Sequence, residues 1–328
     1  MNVALLTLDF PPEFIGGVSA WAMDMAAALD RAGHDVTVYA KHTGDTRAHD
    51  EALPFRVQRV RGRSWAKYGG WWMRLALIGR MQQYDQILCA TWPLAVRLPD
   101  VSRLGIAVHG SEVTCLDAPT PALRRLTQTA YAWFPVSNFL AAELSRLKLD
   151  CRRVSVLPMP LETDAGAAAE RGDHLVCVAR DTARKGIDRA IKIAEATGRS
   201  ITLIGPIDPP PNGDARGVVP RAEAVDMIRT ARALVLTPRV NSAGMGAEGL
   251  GLCMLEAASV GVPSIGCDIG GVREALGPGL LLEDPDRPDG AAINSWLAHE
   301  GRGARAQSWL KDTHGPELAV STMMRDLQ

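Results

Sequence analysis

Apolar residues in this chain fall into short unbroken runs that alternate with longer stretches of helical period. Residues 3–8 (VALLTL), 36–40 (VTVYA), 86–90 (QILCA) and 104–109 (LGIAVH) have strand length and few polar interruptions. That is the pattern of strands covered on both faces. Residues 55–60 and 154–157 are read as further strands, the second closed by Pro158, and 134–136 as short and extended. Helices are expected over 19–32, 69–83, 121–132 and from Ser137 to Leu147. Ser19 and Ser137 are the expected N-caps, Met25, Leu29 and Ala32 share a face, and Gly33 is the stop. The pattern restarts beyond residue 160. Strands are expected at 175–178, 201–204, 233–237, 264–267 and 280–282, an extended stretch at 217–219, and helices at 186–196, 221–229 and 252–260. Strand and helix alternating in two blocks predicts an α/β chain of two Rossmann-like, doubly wound parallel-sheet domains facing across a cleft. The expected divisions are residues 1–160, 161–310, and a C-terminal helix over 311–328 returning to the first domain. Ligands of such sheets bind beyond the carboxyl ends of the strands.

Composition narrows the function classes. The 328 residues include 47% hydrophobic ones, enough for two cores, and the net charge of −1 gives no electrostatic case for nucleic acid. Cys89, Cys115, Cys151, Cys177, Cys253 and Cys267 are scattered with no CxxC. They read as reduced thiols, neither staples nor metal ligands. No apolar run reaches the roughly 18 residues of a membrane span, and the N-terminus enters a strand directly. A cytoplasmic protein is expected, with peripheral contact at the inner membrane face as an option.

The densest chemistry lies between residues 246 and 271. A glycine-rich turn ending at Gly251 precedes the 252–260 helix, and Gly270-Gly271 follows the next strand. Strand, glycine turn, helix and strand make a βαβ unit with a backbone anion site at the helix start. Glu248 and Glu256, with seven residues between them, bracket that start. At about 1.5 Å per residue, both can face one ligand. Gly244-Met-Gly-Ala-Glu-Gly249 also fits a dinucleotide fingerprint, with Asp268 downstream. Six residues separate it from Thr237, however, and the first strand–helix turn carries no such signature. Asp284-Pro-Asp286 has the form of a metal-binding pair but reads as a solvated acidic loop, and no metal is expected.

Asp9-Phe10-Pro11-Pro12 with Gly16-Gly17, Arg180 with Lys185-Gly186, Glu248-Gly249-Leu250-Gly251 with Glu256-Ala257, and Gly270-Gly271-Val-Arg-Glu274 occur in that order. Together they resemble a retaining GT-B glycosyltransferase of family 4, over nearly the whole chain. The resemblance implies a nucleotide-diphosphate sugar, UDP- or GDP-linked, as donor substrate, with no cofactor and no metal. It implies that Arg180 and Lys185 grip the diphosphate, Glu256 the ribose hydroxyls and Glu248 the transferred sugar. Backbone around Gly249, Leu250, Gly251 and Leu252 would meet phosphate or sugar, and backbone near Val219 the base. Gly16 and Gly17 would close on the diphosphate from the first domain, and His109 would face the reacting sugar carbon. The acceptor, bound mainly by the first domain, is a small molecule, a lipid-linked group or a glycan. Elementary chemistry agrees: the departing nucleotide gains negative charge, and cations with a helix N-terminus stabilise it. A nucleotide-sugar epimerase or hydrolase on the same fold and a nicotinamide-dependent oxidoreductase stand as alternatives.

Bland readings accompany these. The two glutamates suit a helix start by charge alone, and Arg184 reads as a surface neighbour of Lys185. A lysine before a helix is disfavoured unless an anion is present. Residues 56–81 combine Arg56, Arg59, Arg61, Arg63, Lys67, Arg74 and Arg80 with Trp65, Trp71 and Trp72. An interfacial membrane helix, an acceptor-pocket wall, and a structural helix with extended arginine stems all fit. Four features depart from the family pattern: a long 239–247 loop, Leu250 in place of an aromatic, Met159 in place of an asparagine, and a compact first domain.

Overall fold

The computed structural model describes residues 1–12, 16–98, 103–164, 171–180, 183–240 and 247–327. The chain divides into two compact units, Met1–Pro160 with Pro316–Gln328, and Leu161–Gly315.

The first unit is built on strands β1 (Asn2–Thr7), β2 (Asp35–Lys41), β3 (Arg56–Val60), β4 (Gln86–Cys89), β5 (Leu104–Val108) and β6 (Ala132–Pro135). They form one parallel sheet in the order β3-β2-β1-β4-β5-β6. Its central strands are apolar because helices cover both faces: Leu5, Leu6, Leu88 and Ile106 are wholly buried. The helices are α1 (Gly17–Arg31), α2 (Arg47–Glu51), α3 (Trp65–Leu77), α4 (Trp92–Ala95), α5 (Ser111–Thr114), α6 (Pro121–Thr129) and α7 (Asn138–Arg146).

Several boundaries differ from the sequence reading. Helix α1 begins at Gly17, with Gly16 at the cap position, so Ser19 is a buried helical residue and not a cap. Helix α3 begins at Trp65, because Gly69 and Gly70 are a packing surface and not a start. A Cβ on Gly70 would lie 3.1 Å from the Pro93 carbonyl oxygen beside α4. Helix α6 stops at Thr129, since Ala132 already pairs with β5. Residues 154–157 run alongside β6 as a short parallel extension: Val154 bridges Trp133, and Ser155 N and Leu157 N donate to Trp133 O and Pro135 O at 3.0 and 2.8 Å. Ser137 caps α7 as expected, its hydroxyl accepting from Leu140 N at 3.1 Å.

The second unit contains β7 (Leu175–Val178), β8 (Ile201–Ile204), β9 (Gly213–Ala215), β10 (Ala233–Leu236), β11 (Ser264–Cys267) and β12 (Leu280–Leu282). They are all parallel, in the order β12-β11-β10-β7-β8-β9. Helices α8 (Ile187–Thr197), α9 (Arg221–Thr230), α10 (Leu252–Ser259), α11 (Val272–Leu276), α12 (Gly290–Ala298) and α13 (Arg302–Thr313) accompany them. The edge strand is Gly213–Ala215, and the stretch expected to be extended at 217–219 meets the sheet through Gly217, which bridges Gly205 in antiparallel fashion.

The last helix, α14 (Pro316–Leu327), belongs to the first unit. Ala319, Met323 and Leu327 are buried, Gln86 Nε2 donates to Leu327 O at 2.9 Å, and Arg153 Nη1 donates to Asp326 O at 3.1 Å. Among the described residues no helix is long and apolar enough to cross a membrane.

Candidate active site

In the second unit the chain lays down β7, adds β8 and β9 on one side, then returns to place β10, β11 and β12 on the other. Strand order therefore reverses between β7 and β10, and the loops leaving those two strands part around a crevice. These loops carry Arg180 and Lys185 on one side and Glu248 to Gly251 on the other. Lys185 Nζ lies 2.6 Å from Glu248 Oε2, with only 16% and 14% of the two side chains exposed. Arg184 Nη1 lies 3.8 Å from the same oxygen and donates to Ala247 O at 3.2 Å. Arg184 is thus half-buried against the site and not the surface residue its neighbourhood in the sequence suggests. Arg180 is exposed and pairs with no carboxylate among the described residues.

Glycines make this approach possible. Gly186 has φ +65, and a Cβ there would overlap the Thr237 carbonyl, so the turn before α8 closes directly on the end of β10. Gly271 N donates to Glu248 O at 2.8 Å, and a Cβ on Gly271 would strike the Gly249 carbonyl. The second glycine turn is therefore a backbone clamp on the first. Gly251, at φ 100, occupies the cap position of α10 without any side-chain cap. Met254 N donates to Gly251 O at 2.9 Å, while the preceding first-turn amides of Leu252 and Cys253 and the positive end of the helix dipole favour an anion. Leu250 is buried, Leu252 and Val219 half-buried.

Glu256 lies one turn into α10 and is buried, with Arg221 Nε 2.6 Å from its Oε1. Arg221 enters the sequence reading only as the start of a helix; α9 and α10 bring it to Glu256 from 35 positions away. The two site glutamates therefore each carry a cation of their own.

Asp286 of the acidic Asp-Pro-Asp loop is an anchor. Arg189 grips it with Nε at 3.0 Å and Nη2 at 2.5 Å, and Arg239 Nη2 lies 2.7 Å away. The Arg189 guanidinium holds its carboxyl down to about 2. Arg239 also binds both oxygens of Asp188 at 2.8 Å. This network fixes the chain where it leaves β10, at the entry to the 239–247 loop, of which 241–246 lie outside the described residues. No cluster of three or more metal-ligating side chains occurs among the described residues.

In the first unit Gly16 has φ 146 and leads into α1. The preceding loop is held by Arg59, which donates to the carbonyls of Phe10 and Pro11, pairs with Asp50 at 2.6 Å and lies 5.4 Å over the Phe10 ring. His109 follows β5, its ring centroid 4.7 Å from that of Trp21 in an edge-on contact. Its Nε2 is buried without a partner among the described residues. Burial pushes the imidazole down to about 3, so it is neutral at physiological pH. The His109 amide donates to the Glu112 carboxylate, whose own proton affinity burial raises. All six cysteines are free thiols.

A sequence profile of Glycosyltransferase Family 4 matches residues 15–165. The GDP-mannose-dependent monoacylated alpha-(1-6)-phosphatidylinositol monomannoside mannosyltransferase of Corynebacterium glutamicum is 26% identical over 328 positions, covering 86% of this chain and 84% of its own. A GDP-mannose-dependent alpha-(1-6)-phosphatidylinositol monomannoside mannosyltransferase of Mycolicibacterium smegmatis is 27% identical over 370 positions and 96% of each chain. Among solved structures, AviGT4, a glycosyltransferase involved in avilamycin A biosynthesis, superposes with a TM-score of 0.74 at 17% identity, covering 99% of this chain and 98% of its own. Anabaena HepE, solved with UDP and glucose, gives 0.72 at 15% identity over 100% and 99% of the two chains. The oxidoreductase alternative falls with these likenesses; the fingerprint residues Gly244 and Gly246 lie outside the described residues. Two parallel six-stranded sheets of Rossmann order give this chain the GT-B fold of these neighbours, and the family 4 profile over residues 15–165 with mannosyltransferase relatives along most of the chain supports a glycosyltransferase similar to family 4.

Proposed function

We propose that the protein transfers mannose from GDP-mannose to a hydroxyl of a lipid-borne acceptor, with retention of configuration and without a metal. The observation that carries the donor reading is the Lys185–Glu248 pair, 2.6 Å apart, beside the uncapped N-terminus of α10 at the strand-order reversal. GDP-mannose and a phosphatidylinositol-type acceptor are proposed from the relatives that span most of this chain.

As the glycosidic bond breaks, charge builds on the departing diphosphate. Arg180, Lys185 and the α10 amides supply donors where that charge develops, each typically contributing about 2.7–4 kcal/mol to the transition state. This positive set is the reason a metal is not needed. Glu256, paired with Arg221, accepts from the two ribose hydroxyls, and Glu248 accepts from hydroxyls of the sugar. Gly249, Leu250, Gly251 and Leu252 offer backbone, and Val219 borders the base. Gly16, Gly17 and His109 serve the reaction from the first unit. His109, being neutral, hydrogen-bonds the sugar without adding charge. Retention follows from front-face attack in which the leaving phosphate takes the acceptor proton, so no protein nucleophile is required.

The test is release of free GDP from GDP-mannose with and without phosphatidylinositol-type lipid. Release that requires acceptor, with an α-linked mannosyl lipid as product, supports transfer. Acceptor-independent release would make the protein a hydrolase, and an equilibrated sugar without release would make it an epimerase.

A further inference from the structure

Helix α3 carries a surface that donor chemistry does not use. Its buried face is Gly69, Gly70, Met73 and Leu77. Its other face presents Tyr68 (40% exposed), Trp71 (44%), Leu75 (52%) and, one residue past the helix, Ile78 (64%). Spacings of three, four and three residues put these four on one stripe. They are four of the nine large apolar side chains that stand exposed among the described residues, so the apolar surface is gathered here and not scattered.

Charge on this face has one sign. No aspartate or glutamate occurs between Glu51 and Asp85. Of the seven cations in that interval, Arg56 and Arg59 are paired with Asp35 and Asp50. Arg61, Arg63, Lys67, Arg74 and Arg80 pair with no carboxylate among the described residues, and all but Arg74 are exposed. The cations flank the aromatic rings: Lys67 Nζ is 5.2 Å from the Tyr68 centroid, and the Arg97 guanidinium 5.3 Å from that of Trp71. With the whole chain at −1, this face is a local positive excess. A second copy is a poor occupant, because a two-fold contact would set the cationic face against itself.

We propose that α3 is an interfacial anchor that lies in the plane of a lipid bilayer bearing anionic headgroups. Trp71, Leu75 and Ile78 enter the boundary between headgroups and acyl chains. Tyr68 sits at headgroup level, and Arg61, Arg63, Lys67 and Arg80 meet the phosphates. The anchor suits a lipid-borne acceptor but stands on the helix alone.

The experiment is co-sedimentation with vesicles of phosphatidylglycerol and phosphatidylcholine, against pure phosphatidylcholine, with no nucleotide present. Wild type is expected to pellet with the anionic vesicles, less at high salt, and little with the neutral ones. Trp71→Ser with Leu75→Ser and Ile78→Ser should abolish pelleting. Arg63→Ser and Lys67→Ser should each lower partitioning about fivefold. All the substituted positions except Arg63 and Lys67 are apolar, and every one is exposed, so melting temperature and GDP-mannose binding should be unchanged; those two readings report the fold and the donor site separately. Failure of wild type to bind anionic vesicles, or binding that the triple substitution leaves intact, overturns the proposal. So does a wild-type dimer in sedimentation equilibrium that the triple substitution dissociates, which would assign the face to a second copy.

Discussion

Lys185 and Glu248 touch through Nζ and Oε2 at 2.6 Å, joining the cation expected at the diphosphate to the carboxylate expected at the sugar. The pair spans the crevice between two loops that leave neighbouring strands, so on the proposed roles it would set the distance between a phosphate and a sugar subsite. Each partner offsets the other's charge; under the proposed function a bound donor would give the ammonium a second anion and the carboxylate hydroxyl donors.

Lys185→Ala should lower kcat by roughly 10²–10³, the cost of one lost donor to developing charge. Glu248 then loses its closest cation, so KM for GDP-mannose should rise as well. Initial rates against donor concentration check both; kcat within a few-fold of wild type would remove Lys185 from the transition state.

Glu256→Gln should weaken GDP binding by about tenfold or more, as expected for hydrogen bonds to a charged group. Arg221 acts through Glu256, so Arg221→Ala should weaken binding less while lowering stability. Isothermal titration with GDP, alongside melting curves, separates the two effects; equal GDP affinity in Glu256→Gln and wild type would refute the ribose role.

His109 gives a pH signature. Its imidazole titrates near 3 in the folded protein, against 6.5 for an ordinary histidine. Between these values the unfolded chain takes up a proton that the native protein does not. Stability is therefore intact above about 6.5 and falls as pH drops towards 3, by up to about 1.4 kcal/mol per pH unit. His314, lowered to about 4 by burial, adds a slope of the same sign from the second unit. His109→Asn should flatten part of this loss in urea titrations at pH 7 and pH 5; an unchanged difference would show that the native imidazole titrates normally.

Gly271→Ala tests the backbone clamp. The new methyl would collide with the Gly249 carbonyl and push the Glu248 loop away from Lys185. A loss of roughly 1–3 kcal/mol in stability, the usual range for overpacking, should come with weaker donor binding. Thermal melts with and without GDP-mannose read both quantities.

EDTA should leave transfer intact, because Lys185, Arg180 and the α10 terminus supply the positive charge and Asp286 is held by Arg189 and Arg239. Activity lost to the chelator and restored by a divalent ion would reverse this expectation.

What could be read along the chain follows from where the information sits. β1, β10 and β11 declare themselves because both faces are covered and their central positions are apolar and buried. β9, Gly213-Asp214-Ala215, is three residues at a sheet edge, with nothing in its composition to mark it. Gly16 takes the cap role assigned to Ser19 because the loop before α1 needs a φ of 146 that serine rarely adopts. The glycine turns and the two glutamates are local in sequence and were legible. The Arg221–Glu256 pair and the burial of Arg184 against Glu248 depend on elements distant in sequence, and no pattern within either segment foretells them.

The most direct test is a calorimetric titration of GDP-mannose into wild type, Lys185→Ala and Glu256→Gln at one pH and ionic strength. Wild type should bind saturably and one to one, with each variant at least about tenfold weaker. Affinities that are equal across the three proteins, or no binding of any nucleotide-diphosphate sugar, would contradict it.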